Sequence, residues 1–319
     1  MIVAVVSGGP SAEAEVSRAS ARGVAEALRK AGHQTIELEL DRALGAKLAS
    51  EHYDVVFPVA HGAVGEDGSL QGMLEVFGVP YVGSGVLASA LAMDKPTAKR
   101  LFAAAGLPLA RGLAIDGSTP DAAARVIREL GASVVVKPAA GGSAIAVARL
   151  EHASIESVQK ALLEIWSTGQ KALAEQLVQG REVTCSVLED ERGTRALAAT
   201  ELRSPKDAFY TYEARYAPGR SVHECPAQLG DALTARVHEL AIAAHVTLGC
   251  RDLSRVDFVV SDQVTLLEVN TMPGFTKTSL FPEAAAAAGL SFPALCDALV
   301  RRAHARGTPI RAIPLPLPE

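Results

Sequence analysis

Arg255-Val256-Asp257-Phe258-Val259-Val260 and Val264-Thr265-Leu266-Leu267-Glu268-Val269-Asn270 are two apolar runs separated by Ser261-Asp262-Gln263. Both read as strands joined by a hairpin turn. A turn of two or four residues around Asp262-Gln263 sets Asp257 opposite Glu268 and Arg255 opposite Asn270. A turn of three or five residues would break that register. Side chains alternate along a strand, so all four polar groups share one face, and Val256, Phe258, Leu267 and Val269 fill the other. Two carboxylates and an amide on one face form an oxygen-donor site suited to Mg²⁺ carrying bound phosphate. The adjacent guanidinium suits charge developing on a transferring phosphoryl group. Alternating polar residues more often mark a solvated hairpin face. Here Asn270 runs directly into Thr271-Met272-Pro273-Gly274, a turn able to present backbone N–H groups, and that favours the site.

Upstream, Val136-Lys137-Pro138-Ala139-Ala140-Gly141-Gly142-Ser143 reads as a strand ending in a lysine, then a loop of exposed amides. Such a loop can grip phosphates, the lysine neutralising charge while the N–H groups wrap the oxygens. It is not a Walker A loop, because the lysine precedes the glycines. Further upstream, His61-Gly62 through Gly65-Glu66-Asp67-Gly68 follows a third strand, and Gly8-Gly9-Pro10-Ser11 through Glu15 follows the first. Ligands of open α/β sheets sit beyond such strand ends. Neither loop is a GxGxxG, so no dinucleotide site is indicated.

The first strand, Ile2 to Ser7, is followed by a helical period with Val16, Ser20, Val24, Ala27, Leu28 and Ala31 on one face and Gly32 as its stop. Strand 34–40, helix 42–50 and strand 54–60 continue a β-α-β-α-β rhythm, which argues a parallel sheet covered by helices over residues 1–92. Residues 93–175 read as a second unit and 176–305 as a third. The tail 306–319 is proline-rich and reads as extended or disordered. Residues 203–220 carry Tyr210, Tyr212 and Tyr216 without any period, a length usually reserved for function. The 319-residue chain is 49% hydrophobic, enough for several cores. A net charge of −5 without any basic run excludes a nucleic-acid surface. The uncharged stretch 76–93 is broken by Gly78, Pro80, Gly83 and Gly85, so it is not a membrane span. Cys185, Cys225, Cys250 and Cys296 lack metal or redox spacing and read as reduced cysteines of a cytoplasmic protein.

Taken in order, these segments resemble the D-alanine–D-alanine ligase family of the ATP-grasp superfamily. Gly8-Gly-Pro-Ser-Ala-Glu-Ala-Glu15-Val-Ser17, His61-Gly through Glu66-Asp-Gly-Ser-Leu-Gln-Gly72, Tyr81-Val-Gly-Ser-Gly85 and Met93-Asp94-Lys95 are similar to its N-terminal motifs. Phe209-Tyr210-Thr-Tyr212-Glu-Ala-Arg215-Tyr216 is similar to its mobile loop. Gly249-Cys250, Arg255-Val-Asp257, Glu268-Val-Asn270-Thr-Met-Pro-Gly274 and Ser279-Leu280 complete the set. The likeness covers residues 1–305. It implies an α/β protein: an N-terminal parallel substrate domain, then the two-domain ATP-grasp fold with ATP between two sheets, the metal site lying in the last unit.

The resemblance also implies roles. Lys95, Lys137, Gly142 and Ser143 would hold the ATP phosphates, with Arg215 over the γ-phosphate. Glu175, Val178 and Glu182 would meet adenine and ribose. Asp257, Glu268 and Asn270 would bind two Mg²⁺ ions, Mn²⁺ serving in their place. Glu15 would hold the first D-alanine, Arg255 and Gly274 the oxyanion, and His61, Ser279 and Leu280 the substrates. Ser143, Tyr216 and Glu15 would lock the loop. The product would be D-alanyl-D-alanine for peptidoglycan, made by a cytoplasmic homodimer. A same-fold ligase using D-lactate or D-serine, and a regulatory ATP-binding paralogue, are the alternatives. The chain departs from the family pattern at Arg215, where a lysine is usual, and at Gly141, Ala144 and Ala146 in the phosphate loop.

Overall fold

The computed structural model describes residues 1–142, 145–203, 221–276 and 278–308. The chain opens with β1 (Ile2–Ser7), α1 (Ala14–Lys30), β2 (Gln34–Glu39), α2 (Leu44–Ser50), β3 (Val55–Pro58), α3 (Ser69–Val76) and α4 (Val86–Met93). The three strands form a parallel sheet in the order β2-β1-β3. Val3 and Val5 face one core with Val24 and Leu28 of α1, and Ala4 and Val6 face another with Leu44, Leu70 and Tyr81. Burial on both faces is why β1 is continuously apolar rather than alternating.

The next stretch holds α5 (Lys95–Ala104), β4 (Gly112–Ile115), α6 (Ala122–Leu130), β5 (Val134–Pro138), β6 (Ala148–Leu150), α7 (Ile155–Trp166) and β7 (Ala172–Gln176). Its four strands are antiparallel, ordered β4-β7-β5-β6. Helices α6 and α7 cover one face through Val126, Val158, Leu162 and Ile165. Helix α5 does not join them. Its Ala98 and Phe102 pack under the following sheet.

That sheet comprises β8 (Arg181–Asp190), β9 (Gly193–Arg203), β10 (Val222–Glu224), β11 (Leu253–Val260) and β12 (Val264–Asn270), ordered β10-β9-β8-β11-β12 and antiparallel throughout. Helix α8 (Asp231–Leu248), between β10 and β11, covers it with Val237, Leu240, Ala244 and Leu248. Helices α9 (Leu280–Ala287) and α10 (Phe292–Arg306) follow. Leu295, Leu299 and Val300 of α10 and Phe281 of α9 pack in the same core as Val3 and Val5. Packing therefore crosses between the units: α5 lies under the five-stranded sheet, and α10 shares a core with the N-terminal sheet.

The hairpin β11–β12 turns through Ser261, Asp262 and Gln263, three residues, with Val260 opposite Val264. This is the turn length that breaks the expected register, and Phe258 accordingly faces Leu266. A β-bulge between Asp257 and Phe258 then restores the pairing, so Asp257 faces Glu268 and Arg255 faces Asn270. The extra residue is Leu267. It was expected in the core, but Leu266 is the buried residue and Leu267 faces outward beside Glu268. Among the described residues no single helix is long and apolar enough to cross a membrane. The bent pair α9 and α10 passes only by length and composition, and it is packed between the N-terminal sheet and the five-stranded sheet.

Candidate active site

A cavity of about 370 Å³ lies between the two antiparallel sheets, a size ordinary for a small-molecule site. Val135, Lys137, Glu175 and Val178 line one side, and Glu182, Val259, Leu267 and Glu268 the other. Ser11, Glu13 and Gly62 from the N-terminal loops close one end.

Lys137 ends β5 and Glu175 lies on β7. Val135 pairs with Glu175 and Lys137 with Leu173, so the two charged residues are diagonal neighbours on one face. Lys137 Nζ is 2.6 Å from Glu175 Oε2, and Lys99 Nζ is 2.5 Å from Oε1. Burial pushes Glu175 upward, but the two ammonium groups outweigh it and hold the carboxyl below its ordinary value. Burial likewise works against charge on Lys137, yet Glu175 and Glu268 leave it raised. At Lys99 burial wins over Glu175 and the value falls.

The loop after β5 folds back on α5. Asp94 caps that helix by accepting from the Thr97 N–H at 2.8 Å, and the Lys95 N–H donates to Ala139 O at 2.9 Å. Lys95 Nζ donates to Gly141 O at 2.5 Å and lies 3.4 Å from Glu268. Gly141 has φ +101°, a conformation that costs a side-chain-bearing residue strain. Gly142 lines the cavity. Ser143 lies outside the described residues, as do Ala144, Tyr210, Tyr212, Arg215 and Tyr216.

On the hairpin face Arg255 binds Asp257 through two parallel bonds of 2.9 and 2.8 Å, and the Thr184 hydroxyl donates to Asp257 at 2.6 Å. Glu268 stands opposite Asp257. Asn270 Oδ1 accepts from the Met272 N–H at 3.0 Å, which fixes the start of the turn leading to Gly274. A Cβ on Gly274 would come 3.0 Å from Ser279 Oγ, so backbone and hydroxyl are close neighbours there. Ser279 precedes α9, its hydroxyl accepting from the Thr276 N–H at 3.0 Å, and Leu280 is buried against Leu202. Among the described residues no three His, Cys, Asp or Glu side chains gather as a metal site. The carboxylates of Asp257 and Glu268 with the Asn270 amide are hard oxygen donors. They fit Mg²⁺ when phosphate oxygens complete the set.

The N-terminal loops differ from expectation at one residue. Glu15 points to solvent, its side chain 83% exposed, and pairs with Arg18, which also binds Glu39. It does not line the cavity. Glu13, two residues earlier, does, because it precedes the first turn of α1 and faces Gly62 and Gly142. His61 is buried, with Nδ1 3.5 Å from Glu66. Burial lowers its basicity, but Glu66 and then Glu13 more than offset this, leaving His61 above the ordinary histidine value. The Ser11 hydroxyl donates to His61 O at 2.7 Å. A Cβ on Gly65 would sit 2.4 Å from Ala60 O, so only glycine fits that bend.

The structure thus gathers Lys95, Lys137, Gly142, Glu175, Val178, Glu182 and Glu268 around one cavity. Asp257, Arg255 and Asn270 share the hairpin face, and Glu15 stands apart. Sequence reasoning passed over Glu13, Lys99, Thr184 and the outward face of Leu267. The four-residue spacing of Lys95 and Lys99 is the signal that would have found Lys99.

Two family models match the chain: D-ala D-ala ligase N-terminus over residues 42–84 and D-ala D-ala ligase C-terminus over residues 101–301. The chain is 46% identical to the D-alanine–D-alanine ligase of Acidiphilium cryptum over 309 residues, covering 95% of this chain and 99% of that protein. Identity to the enzyme of the same name from Gluconobacter oxydans is 44%, over 96% and 100% of the two chains. Among solved structures, the D-alanine–D-alanine ligase from Bacillus anthracis complexed with ATP superposes with a TM-score of 0.81 at 27% identity, covering 96% of this chain and 99% of that one. The Coxiella burnetii enzyme gives a TM-score of 0.81 at 26% identity, over 96% and 94%.

Proposed function

The chain belongs to the D-alanine–D-alanine ligase family, and from that premise we propose that it joins two D-alanines at the expense of ATP through an acyl phosphate. The convergence of Lys95, Lys137, Glu268 and the Asp257–Arg255 pair beside one cavity carries this reading. A carboxylate is a poor acyl donor because oxide is a poor leaving group. One oxygen of the first D-alanine attacks the γ-phosphorus, and the bond to ADP breaks. The amine of the second D-alanine then attacks the carbonyl, and inorganic phosphate leaves with the carboxylate oxygen.

Lys95, Lys137 and the amides around Gly142 hold the phosphates, while Glu175, Val178 and Glu182, with Leu267, bound the nucleoside end. Asp257, Glu268 and Asn270 are the residues that would hold two Mg²⁺, or Mn²⁺. Bound there, the cations would supply neutralisation of phosphate charge. Arg255, kept in plane by Asp257, and the Gly274 N–H face the developing oxyanion. Glu13 takes the ammonium of the first D-alanine, the role the resemblance gave to Glu15. His61, Ser279 and Leu280 bound the substrates, and the resemblance gives Ser143 and Tyr216 the locking of the loop that would exclude water, with Arg215 over the γ-phosphate. Peptidoglycan precursor synthesis by a cytoplasmic homodimer completes the proposal. The test is incubation with ATP, Mg²⁺ and D-alanine, with phosphate assayed and product mass determined. One phosphate per dipeptide is expected. Phosphate release indifferent to D-alanine would contradict the reading.

A further inference from the structure

Two lysines share one carboxylate on the floor of the cleft. The side chains of Lys99, Lys137 and Glu175 are only 10%, 12% and 4% exposed. Lys137 and Glu175 line the cavity, whereas Lys99 stands behind them. Lys99 comes from α5, one turn beyond Lys95, so both ammonium groups leave the same helix face. That helix is anchored by Ala98 and Phe102 beneath the five-stranded sheet, while Glu175 and Lys137 belong to the four-stranded one. The Lys99–Glu175 pair therefore ties the two walls of the cleft together at its floor.

A phosphate entering the cavity competes with Glu175 for Lys137. Withdrawing Lys137 would strand a buried carboxylate, and a buried charge without a partner is strongly unfavourable. A second cation that never faces the ligand removes that penalty. We propose that Lys99 is a positioning residue. It keeps Glu175 ionised and in place, so that Lys137 is free to turn to the phosphates of a nucleoside triphosphate. The inference rests on the reading of the cleft as an ATP site. The other charged groups around the trio are Lys95 on α5, Arg149 on β6, whose guanidinium binds Glu151 and Gln179, Glu182 on β8, Asp257 on β11 and Glu268 on β12. None of them supplies a second cation at Glu175 Oε1, where Lys99 sits.

The test uses Lys99→Met, Lys99→Arg, Glu175→Gln and the double variant Lys99→Met/Glu175→Gln. Binding of a non-hydrolysable ATP analogue with Mg²⁺ is followed by calorimetry in two buffers of different ionisation enthalpy, beside steady-state kinetics. Lys99→Met should weaken the analogue and raise the KM for ATP by roughly 10- to 100-fold, the usual cost of losing a supporting partner. The KM for D-alanine should stay within about twofold, since Lys99 does not line the cavity that Ser11, Glu13 and Gly62 close at one end. Analogue binding to Lys99→Met should take up a proton onto Glu175 as Lys137 leaves, and wild type should take up none. Lys99→Arg should restore most of the affinity. With Glu175→Gln there is no buried anion to hold, so adding Lys99→Met should change affinity by less than about twofold. That comparison decides the matter even if the single Met variant fails to fold. Unchanged affinity and proton count in Lys99→Met, or a full loss retained in the double variant, would overturn the inference. A wild-type protein that binds no analogue would instead overturn the nucleotide reading beneath it.

Discussion

Asp257 stands directly opposite Glu268 across β11 and β12, although the three-residue turn joining those strands would by itself set Asp257 against Leu267. The bulge at Leu267 makes the two carboxylates neighbours and leaves their oxygens on the cleft side. Asp257→Asn and Glu268→Gln should each lower kcat by a factor on the order of 100 and raise the Mg²⁺ concentration needed for half-maximal rate, as each removes a charged oxygen donor. A Mg²⁺ titration of both variants checks this. Near-normal turnover at ordinary Mg²⁺ would remove the pair from the metal site.

Glu13 and Glu15 separate the substrate role from a surface ion pair. Glu13→Gln should raise the KM for D-alanine and cut kcat/KM by about 10- to 100-fold, the range for a charge-assisted hydrogen bond to a ligand. Glu15→Gln should change neither by more than about twofold, because exposed ion pairs contribute little. Initial rates over a D-alanine series distinguish them. The reverse pattern would return the role to Glu15.

Arg215 is assigned to the γ-phosphate and lies outside the described residues. Arg215→Lys should be mild. Arg215→Ala should lower kcat and release phosphate without dipeptide, since a loop that closes poorly admits water to the acyl phosphate. The ratio of dipeptide to phosphate is the readout, and an unchanged ratio in the Ala variant would place Arg215 elsewhere.

Glu189 joins the N-terminal unit to the last sheet. It accepts from His245 Nε2 at 3.4 Å, from the Asp252 N–H at 3.0 Å and from Arg302 at 2.9 Å, and Asp252 in turn accepts from the Gly83 N–H at 2.8 Å. The His245 bond, opposed by burial and joined by the Asp252 N–H and Arg302, brings Glu189 from 4.5 down to about 2. A carboxyl depressed in the folded state stabilises it fully above the unfolded value and loses that contribution as pH falls. Wild type should therefore exceed Glu189→Gln in stability at pH 7, and the gap should close between 4.5 and about 2. Urea midpoints across that range check it, and a pH-independent gap would contradict it.

The parallel N-terminal sheet and the paired carboxylates were legible because each rests on local periodicity. The apolar run of β1 and the alternation around Asp257 state their faces directly. The bulge was not legible, because Leu266 and Leu267 are chemically alike and only tertiary packing chooses which is buried. Which sheets α5 and α10 cover was not legible for a similar reason: an apolar helix face does not name its partner, and α10 meets both the N-terminal sheet and the five-stranded one. The pairing of Lys99 with Glu175 joins residues far apart in sequence and on different elements. Glu13 and Glu15 were separable only once the first turn of α1 was in place.

Isotope transfer tests the central claim most directly. D-alanine labelled with ¹⁸O in both carboxylate oxygens is incubated with ATP and Mg²⁺, and the released phosphate is analysed by mass. Ligation through an acyl phosphate moves one carboxylate oxygen of the first D-alanine into phosphate at every turnover, so phosphate formed alongside the dipeptide should carry one ¹⁸O. Dipeptide formed with unlabelled phosphate would contradict the mechanism.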